Sequence, residues 1–183
     1  MTFSIDNIRA GLKLGGARPT LFKVLLNNPF DTNLTSIGSV LVQATELPAS
    51  TIGAIEVPYM GRKIRVAGDR TFEPWRISVM NDEDFAIRHS FETWHNQVNS
   101  LSGNLNTTGG SAPGNYKQNA DVLQYGKADD QNPIRVYRMY GIFPTDISSI
   151  DLDWNATNTL ETFNVTLSFD WFEVVSGSTG LLA

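Results

Sequence analysis

Cysteine is absent from this chain of 183 residues, and histidine occurs only twice, as His89 and His95. Without cysteine there is no disulfide bond, no cysteine-ligated metal and no thiol nucleophile. The two histidines are six residues apart in a segment with helical periodicity, so they cannot share a metal from one helix face. We therefore expect no metal site built from these residues.

Motifs of common enzyme classes are also missing. There is no glycine-rich phosphate loop ending in Gly-Lys-Ser or Gly-Lys-Thr, and no Gly-x-Ser-x-Gly nucleophile turn. The acidic run 82–84 is better explained as the start of a helix, where negative charge favours the helix dipole. Asp151 and Asp153 are better explained as surface carboxylates. The sequence therefore predicts no enzyme activity, no catalytic residue and no cofactor.

Long apolar runs are missing too. No window approaches the roughly 18 apolar residues that span a bilayer as a helix, and the first residues lack the apolar core of a signal peptide. We therefore expect a soluble chain without a membrane anchor, released into the cytoplasm of the cell that makes it.

Positive charge is absent from the last quarter of the sequence. Six carboxylates but no Lys or Arg follow Arg138, so this region carries −6, whereas the first 138 residues contain 14 basic and 13 acidic residues and carry +1. A face that binds duplex DNA specifically needs clustered Lys and Arg. Sequence-specific DNA binding is therefore not expected. The acidic region is either an ordinary solvated surface or a surface with a negative potential of its own.

Strand signals dominate what is present. The last strand alternates large apolar residues with small polar ones, which indicates one buried and one solvated face. Its apolar residues are Phe163, Val165, Leu167, Phe169 and Trp171. Further strands are predicted at 19–26, 40–44, 55–59, 64–67, 72–80, 122–125 and 134–143.

One segment has helical periodicity instead. Its apolar residues recur every three or four positions, which predicts an amphipathic helix over about 82–102, with Asn81 or Asp82 as the N-cap. The residues expected to pack on a sheet are Ile87, Phe91, Trp94, Val98 and Leu101.

The chain is long enough for one domain with a sizeable core. We predict a single, mainly β domain over 1–183, in which two packed sheets form a sandwich or barrel with one flanking helix. A flexible N-terminal segment (1–16), a long polar loop (102–118) and a C-terminal tail (175–183) are expected around it.

The most informative stretch is 61–84, GRKIRVAGDRTFEPWRISVMNDED. It predicts a basic strand, a bend at Gly68-Asp69-Arg70, an alternating strand and a helix start. This stretch resembles the signature of the tail tube proteins of contractile-tailed bacteriophages. The matching segments are Gly61-Arg62-Lys63-Ile64, Val66-Ala67-Gly68-Asp69-Arg70-Thr71-Phe72, Trp75 and Val79-Met80-Asn81-Asp82-Glu83. Further matches in the same order are Leu21-Phe22, Leu47-Pro48-Ala49, Phe143-Pro144-Thr145 and Leu152-Asp153-Trp154.

The resemblance implies a structural virion protein that self-assembles into stacked hexameric rings. These rings would form the inner tail tube, the conduit for genome ejection, with the barrel-like tail tube fold. The implied partners are further copies of the chain, the sheath, baseplate and tail terminator proteins, and duplex DNA passing through the lumen. The implied location is the virion tail, assembled in the host cytoplasm. The alternatives are the tube of a related contractile injection or type VI-like secretion system and a generic β-sandwich binding module.

If the chain forms a tube, its charged and apolar residues around 48–70 become candidates for contacts between subunits and rings. They are Arg62, Lys63, Arg65, Asp69, Arg70, Ile52, Ile55, Val57 and Tyr59. The competing interpretations are local stabilisation of the turn for the charges, and a hairpin buried within one subunit for 48–60.

The polar face of the last strand is the candidate for the lumen wall. Its residues are Asn164, Thr166, Ser168 and Asp170. A wall without Lys and Arg avoids the counterion-release affinity that would slow passing DNA. Exposure to solvent or to a neighbouring subunit is the competing interpretation.

Overall fold

The computed structural model describes residues 5–12, 16–35, 39–107, 110–127 and 131–177. The predicted mainly β fold with one main helix is confirmed. In chain order the elements are α1 (Ile5–Gly11), β1 (Phe22–Leu26), α2 (Ser39–Leu41), β2 (Val42–Thr45), β3 (Ser50–Tyr59), β4 (Arg62–Phe72), β5 (Trp75–Met80), α3 (Ala86–Val98), α4 (Pro113–Tyr116), β6 (Gln118–Tyr125), β7 (Pro133–Ile147), β8 (Thr162–Ser168) and β9 (Trp171–Gly177).

A bent antiparallel sheet of seven strands forms the body of the described chain, in the order β1-β6-β7-β8-β5-β2 with β9 also paired to β7. The long strand β7 changes partners near Gly141, whose φ of 69° lies in the left-handed region. Before this point β7 pairs with β6 and β9, and after it with β8. We call β1, β6, β9 and the start of β7 the first half-sheet, and β8, β5, β2 and the end of β7 the second half-sheet.

The two half-sheets enclose one core. The second contributes Trp75, Ile77, Val79, Phe163, Val165 and Leu167, and the first contributes Val24, Leu26, Val122 and Met139. Full burial of such a side chain stabilises the fold by about 1.5–3 kcal/mol. A slip of one residue in β8 would move its whole apolar set to the outside, so the alternation of this strand fixes its register.

Helix α3 closes one side of the core. Ile87, Phe91 and Trp94 are buried, and Val98 packs at the margin of the cluster. The Phe91 ring meets Phe163 of β8 edge-on, with centroids 6.3 Å apart. The helix therefore lies on the core side of β8, behind the apolar residues of that strand.

The helix is shorter than predicted at both ends. Phe85 precedes it in the left-handed region with φ 56°, so neither Asn81 nor Asp82 is the N-cap, and the Asp82 carboxylate accepts a hydrogen bond from the Glu83 N–H. At the other end the chain becomes extended after Val98. Leu101 lies beyond the helix and is 88% exposed, so its predicted role in helix packing is wrong.

The predicted final strand is divided in two. Strand β8 ends at Ser168, and β9 begins at Trp171 and pairs with β7 in the first half-sheet. Phe169 is buried at the connection, whereas Trp171 is half-exposed and stacks on Tyr140 with ring centroids 4.0 Å apart. The alternation of apolar residues thus continues from β8 in the second half-sheet to β9 in the first half-sheet.

The predicted flanking segments are only partly described. Helix α1 lies within 1–16, and the one-turn helix α4 lies within the predicted loop 102–118. Strand β9 occupies the start of the tail 175–183, of which 178–183 lie outside the described residues. Over the described ranges, every helix is too short or too polar to cross a bilayer.

Candidate assembly surfaces

Strands β3 and β4 form a long hairpin that we call the arm, Ser50 to Phe72. They pair along their lengths around a turn at Met60 and Gly61, which have φ of 45° and 79°. Strand β3 has 10 residues, so the arm is about 30 Å long at the usual rise of ~3.3 Å per residue. Every residue of β3 is exposed, as is every residue of β4 except Gly68 and Phe72.

The base of the arm is fixed to the body. The Phe72 ring packs on Phe169 and Phe172, with centroids 5.6 and 5.7 Å away. Beside it, the Trp75 indole N–H donates to the Glu46 carbonyl oxygen at 2.8 Å. The arm therefore projects from a packed base at the end of β2 and the start of β5.

One face of the arm is apolar. Ile55 lies opposite Val66, and Val57 lies opposite Ile64, and directly opposed residues share a face. All four side chains are exposed, as are Ile52, Tyr59 and Met60. The interpretation of 48–60 as a hairpin buried within its own subunit is therefore wrong. An isolated hairpin is marginal in water, and a contiguous apolar surface of this kind marks an interaction site.

The other face of the arm is charged. Glu56 lies opposite Arg65, and Lys63 donates to the Glu56 carboxylate at 2.7 Å. Arg65 also lies 3.5 Å from the Glu56 carboxylate. Both ion pairs are exposed, so each contributes about 0–1 kcal/mol. Arg62 lies at the tip, opposite Tyr59. The predicted interface residues thus share one ribbon. Lys63 and Arg65 lie on the face opposite Ile55, Val57 and Tyr59, whereas Arg62 shares the face of Tyr59 and Arg70 shares the face of Ile52.

The predicted bend at Gly68-Asp69-Arg70 is a β-bulge. Strand β4 continues through it, and the register shifts so that Gly68 and Asp69 together face Gly53. A Cβ on Gly68 would lie 3.1 Å from the Gly53 carbonyl oxygen, so the close approach of the strands favours glycine. The turn itself is at Met60 and Gly61.

The outward face of the second half-sheet is polar. Asn164, Thr166 and Ser168 point away from the core, with Ser78 opposite Asn164 and Arg76 opposite Thr166. All of these except Ser168 line a shallow depression of about 690 Å³, together with Ala44, Thr45, Glu46, Ile77, Asp146 and Ser148. Arg76 and Ser78 are absent from the predicted lumen set, although the alternation of β5 places them on this face.

Asp170 does not continue this polar face. It lies in the connection after β8, where its carboxylate accepts hydrogen bonds from Lys117 at 2.7 and 2.8 Å. The charge of Asp170 is therefore balanced by a cation of the same subunit.

The first half-sheet has an ion-pair ladder. Arg138 donates two hydrogen bonds of 2.7 Å to Asp121 on the neighbouring strand, and this contact raises the pKa of Arg138. The Tyr140 hydroxyl donates to Glu173, which raises the pKa of Tyr140. These groups satisfy one another across β6, β7 and β9, so the ladder is structural.

The second half-sheet has two open edges in the described chain. Strand β2 pairs only with β5, and the end of β7 (143–147) pairs only with β8. Exposed edges are usually protected against pairing with other chains. Within the described ranges no group of three or more His, Asp or Glu side chains could hold a metal ion.

Comparison with known proteins identifies the family. The sequence profile of the family described as phage tail tube protein matches residues 17–175. Tail tube protein gp19 of Enterobacteria phage T4 is 36% identical over 170 residues, covering 92% of this chain and 99% of the relative.

Two solved structures have the same fold. A chain of the anti-feeding prophage tube-terminating cap aligns with a TM-score of 0.64 at 15% identity, covering 88% of this chain and 91% of that one. A chain of the PVC sheath–tube complex of an extracellular contractile injection system aligns with a TM-score of 0.58 at 13% identity, covering 96% and 99%. The relatives of this chain are structural proteins, which confirms the prediction that it is not an enzyme. The chain belongs to the phage tail tube protein family.

Proposed function

We propose that this chain assembles into hexameric rings that stack into the inner tube of a contractile phage tail, through which the genome is ejected. The observation that carries the proposal is the exposed arm, whose apolar face requires a partner, on a body of the tail tube family. The partners would be further copies, the sheath, the baseplate and the tail terminator. Assembly would take place in the host cytoplasm and the product would be part of the virion. Because the relative at 36% identity is a phage protein, the phage tail is favoured over a non-phage injection system.

Ring closure would use the open edges of the second half-sheet. In the described chain, each of the two edge strands, β2 and the end of β7, has one unpaired edge. In the ring, β2 of one subunit would lie beside the end of β7 of the next subunit. Six second half-sheets would then line one channel with their polar faces. This arrangement would remove the exposed edges without any protective device within the subunit.

The polar face suits the passage of DNA. It consists largely of small neutral side chains, with Arg76 separated from Asp146 by Thr166 across the ladder. One arginine per subunit, on a face that also carries Asp146, adds little of the salt-dependent affinity that several phosphate contacts would produce. Helix α3 lies on the opposite side of β8 and would face the sheath.

Electron microscopy of the concentrated, purified chain tests the proposal. We expect rings about one subunit high and hollow tubes built from them. A chain that remains monomeric at all attainable concentrations and shows no rings would overturn the proposal. Rings with a symmetry other than sixfold would change the proposed number of subunits in a ring and leave the rest of the proposal unchanged.

Cysteine labelling tests which face lines the lumen. Because the chain contains no cysteine, Thr166→Cys and the control His95→Cys each carry one thiol. His95 is exposed on α3. In free subunits we expect both thiols to react with a bulky polyethylene-glycol maleimide. In assembled tubes we expect protection at position 166 and continued reaction at position 95. The reverse pattern would place the polar face outside the tube.

A further inference from the structure

We infer that the Arg76 guanidinium binds Glu46 of its own subunit and Asp146 of the neighbouring subunit, and so joins subunits within a ring. This inference rests on the proposed function. It names the side chains that meet where β2 of one subunit lies beside the end of β7 of the next. The partner of the surface around Arg76 is therefore a second copy of the chain.

The three charged residues share one surface. Glu46, Arg76 and Asp146 line the same depression on the polar face of the second half-sheet, and all three are exposed. Among the described residues, the ion pairs join other charged groups and include none of these three. A guanidinium has five N–H donors, so Arg76 of an isolated subunit can still bind the carboxylates of another copy.

A β-bulge places Asp146 on this surface. In the pairing of β7 with β8, Pro144 lies opposite Leu167 and Asp146 lies opposite Thr166, so Thr145 is the extra residue. Pro144 is buried, as is Leu167. In a regular strand, the side chain two positions after Pro144 would also point into the core. The bulge directs Asp146 to the polar face instead, on the same row of the sheet as Arg76.

The end of β2 leaves Arg76 open to a neighbouring subunit. The last pair between β2 and β5 is Thr45 with Ile77, so Arg76 lies one position beyond it, beside Glu46. The position of Glu46 is fixed because its carbonyl oxygen accepts the hydrogen bond from the Trp75 indole. A strand of another subunit that lies along β2 therefore comes next to both Glu46 and Arg76.

The strand order sets the distances around the ring. The second half-sheet has the order β7-β8-β5-β2, so β5 is two strands from β7 of its own subunit. In the proposed ring β5 is also two strands from β7 of the next subunit, because only β2 lies between them. Two strand spacings are about 10 Å, a distance that an arginine and an aspartate side chain span together. Glu46 lies on the side of the junction, so Arg76 meets two carboxylates there.

Arg76 prevents repulsion between these carboxylates. Without a cation, Glu46 and the neighbour's Asp146 would face each other on adjacent strands, and like charges in that position are destabilising. The planar guanidinium can bind both at once. The open backbone edges of β2 and β7 can pair with any strand, whereas this arrangement of charges is specific to the correct edge.

Duplex DNA is a poorer partner for Arg76. A phosphate that approaches Arg76 also approaches Glu46 and Asp146, and this group of +1 and −2 carries a net charge of −1. Counterion release requires Lys or Arg that neutralises phosphates. An arginine bound between two carboxylates therefore stabilises the ring without slowing the passage of DNA.

Neutral variants test the contact. Arg76→Gln leaves the two carboxylates without a cation. We expect it to raise the protein concentration needed for ring formation at least about tenfold in about 0.01 M salt, and less in about 1 M salt, where the repulsion is screened. A threefold variant with Arg76→Gln, Glu46→Gln and Asp146→Asn should form rings nearly as well as the wild type. Lys23→Gln removes one positive charge from an exposed position of β1 and is the control.

Two results would overturn the inference. One is an Arg76→Gln chain that forms rings at the wild-type concentration in low salt, and the other is a threefold variant that assembles no better than Arg76→Gln alone. Normal Arg76→Gln rings with weaker retention of a labelled DNA duplex would assign the arginine to phosphate contacts instead.

Cross-linking separates failure of this contact from failure of the proposed function. Copies with Ala44→Cys on β2 are mixed with copies with Thr145→Cys on β7, and a short bis-maleimide is added. We expect heterodimers, and none when Ala44→Cys is paired with His95→Cys. Heterodimers together with normal Arg76→Gln rings would contradict only the role of Arg76. Rings that yield no heterodimer would contradict the junction and with it the inference, whereas a chain that forms no rings would contradict the proposed function itself.

Discussion

Shortening the arm is expected to abolish tube formation while leaving the body folded. Thr51 and Thr71 are directly opposite each other, so an Asn-Gly pair replacing 52–70 closes the ribbon with a favoured hairpin turn. Phe72 and its contacts with Phe169 and Phe172 are retained. The removed residues are exposed apart from Gly68, so the free energy of unfolding should change by less than about 1 kcal/mol. The measurements are denaturant unfolding and electron microscopy of concentrated protein.

A matched variant separates the length of the arm from its apolar face. Ile55→Thr, Val57→Thr, Ile64→Thr and Val66→Thr keep β-branched side chains that suit a strand but remove most of the exposed apolar surface. We expect this full-length arm to fail in assembly as well. If it assembles while the shortened chain does not, the arm acts through its backbone edges. Normal tubes from the shortened chain would show that the arm has no role in assembly.

The interior was predictable because its signals are local. The alternation in β8 predicts which side chains are buried, and the three-to-four spacing in α3 predicts the contacts of Ile87, Phe91 and Trp94. Both patterns follow from burial against elements of the same chain. The polar face of β5, with Arg76 and Ser78, could have been found from the same alternation.

The arm shows what a local sequence pattern cannot predict. Ile55, Val57, Ile64 and Val66 alternate like a half-buried hairpin, and the pattern does not reveal whether the burying partner is the same chain or another. Glycine is equally ambiguous, because it occurs in turns, in bulges and at close strand approaches. The bend predicted at Gly68 is a bulge, and the turn is at Gly61. The loop between β7 and β8 (148–161) has no periodicity, so the sequence does not predict that Trp154 is exposed.

Periodicity also continues beyond the end of a helix. Leu101 lies at the right spacing from Val98, but Asn99 is extended and the chain turns away. Beyond it, the Ser100 N–H donates to the Leu105 carbonyl oxygen at 3.0 Å. Turn contacts of this kind end the helix before Leu101, although the spacing of apolar residues continues to it. The last residue of a helix is therefore difficult to predict from spacing alone.

Phe91→Ala is expected to destabilise the subunit by about 3–5 kcal/mol, since it leaves a cavity in a rigid core. Phe91 is fully buried and meets Phe163 edge-on, so the loss removes contacts to both α3 and β8. The measurement is urea unfolding followed by tryptophan fluorescence, at concentrations below assembly, because association would add its own stabilisation. The slope of the free energy with denaturant should be unchanged if both states keep their compactness.

Leu101→Ala is the matched control, because it removes an apolar side chain that continues the same spacing. Leu101 is 88% exposed, and surface substitutions away from the core usually change stability by less than about 0.5 kcal/mol. A loss of several kcal/mol at Leu101 would show that the helix extends to 102 in solution, as its spacing predicts. A small loss at Phe91 would mean that α3 does not close the core. The pair therefore measures where α3 stops contributing to the core that supports the arm.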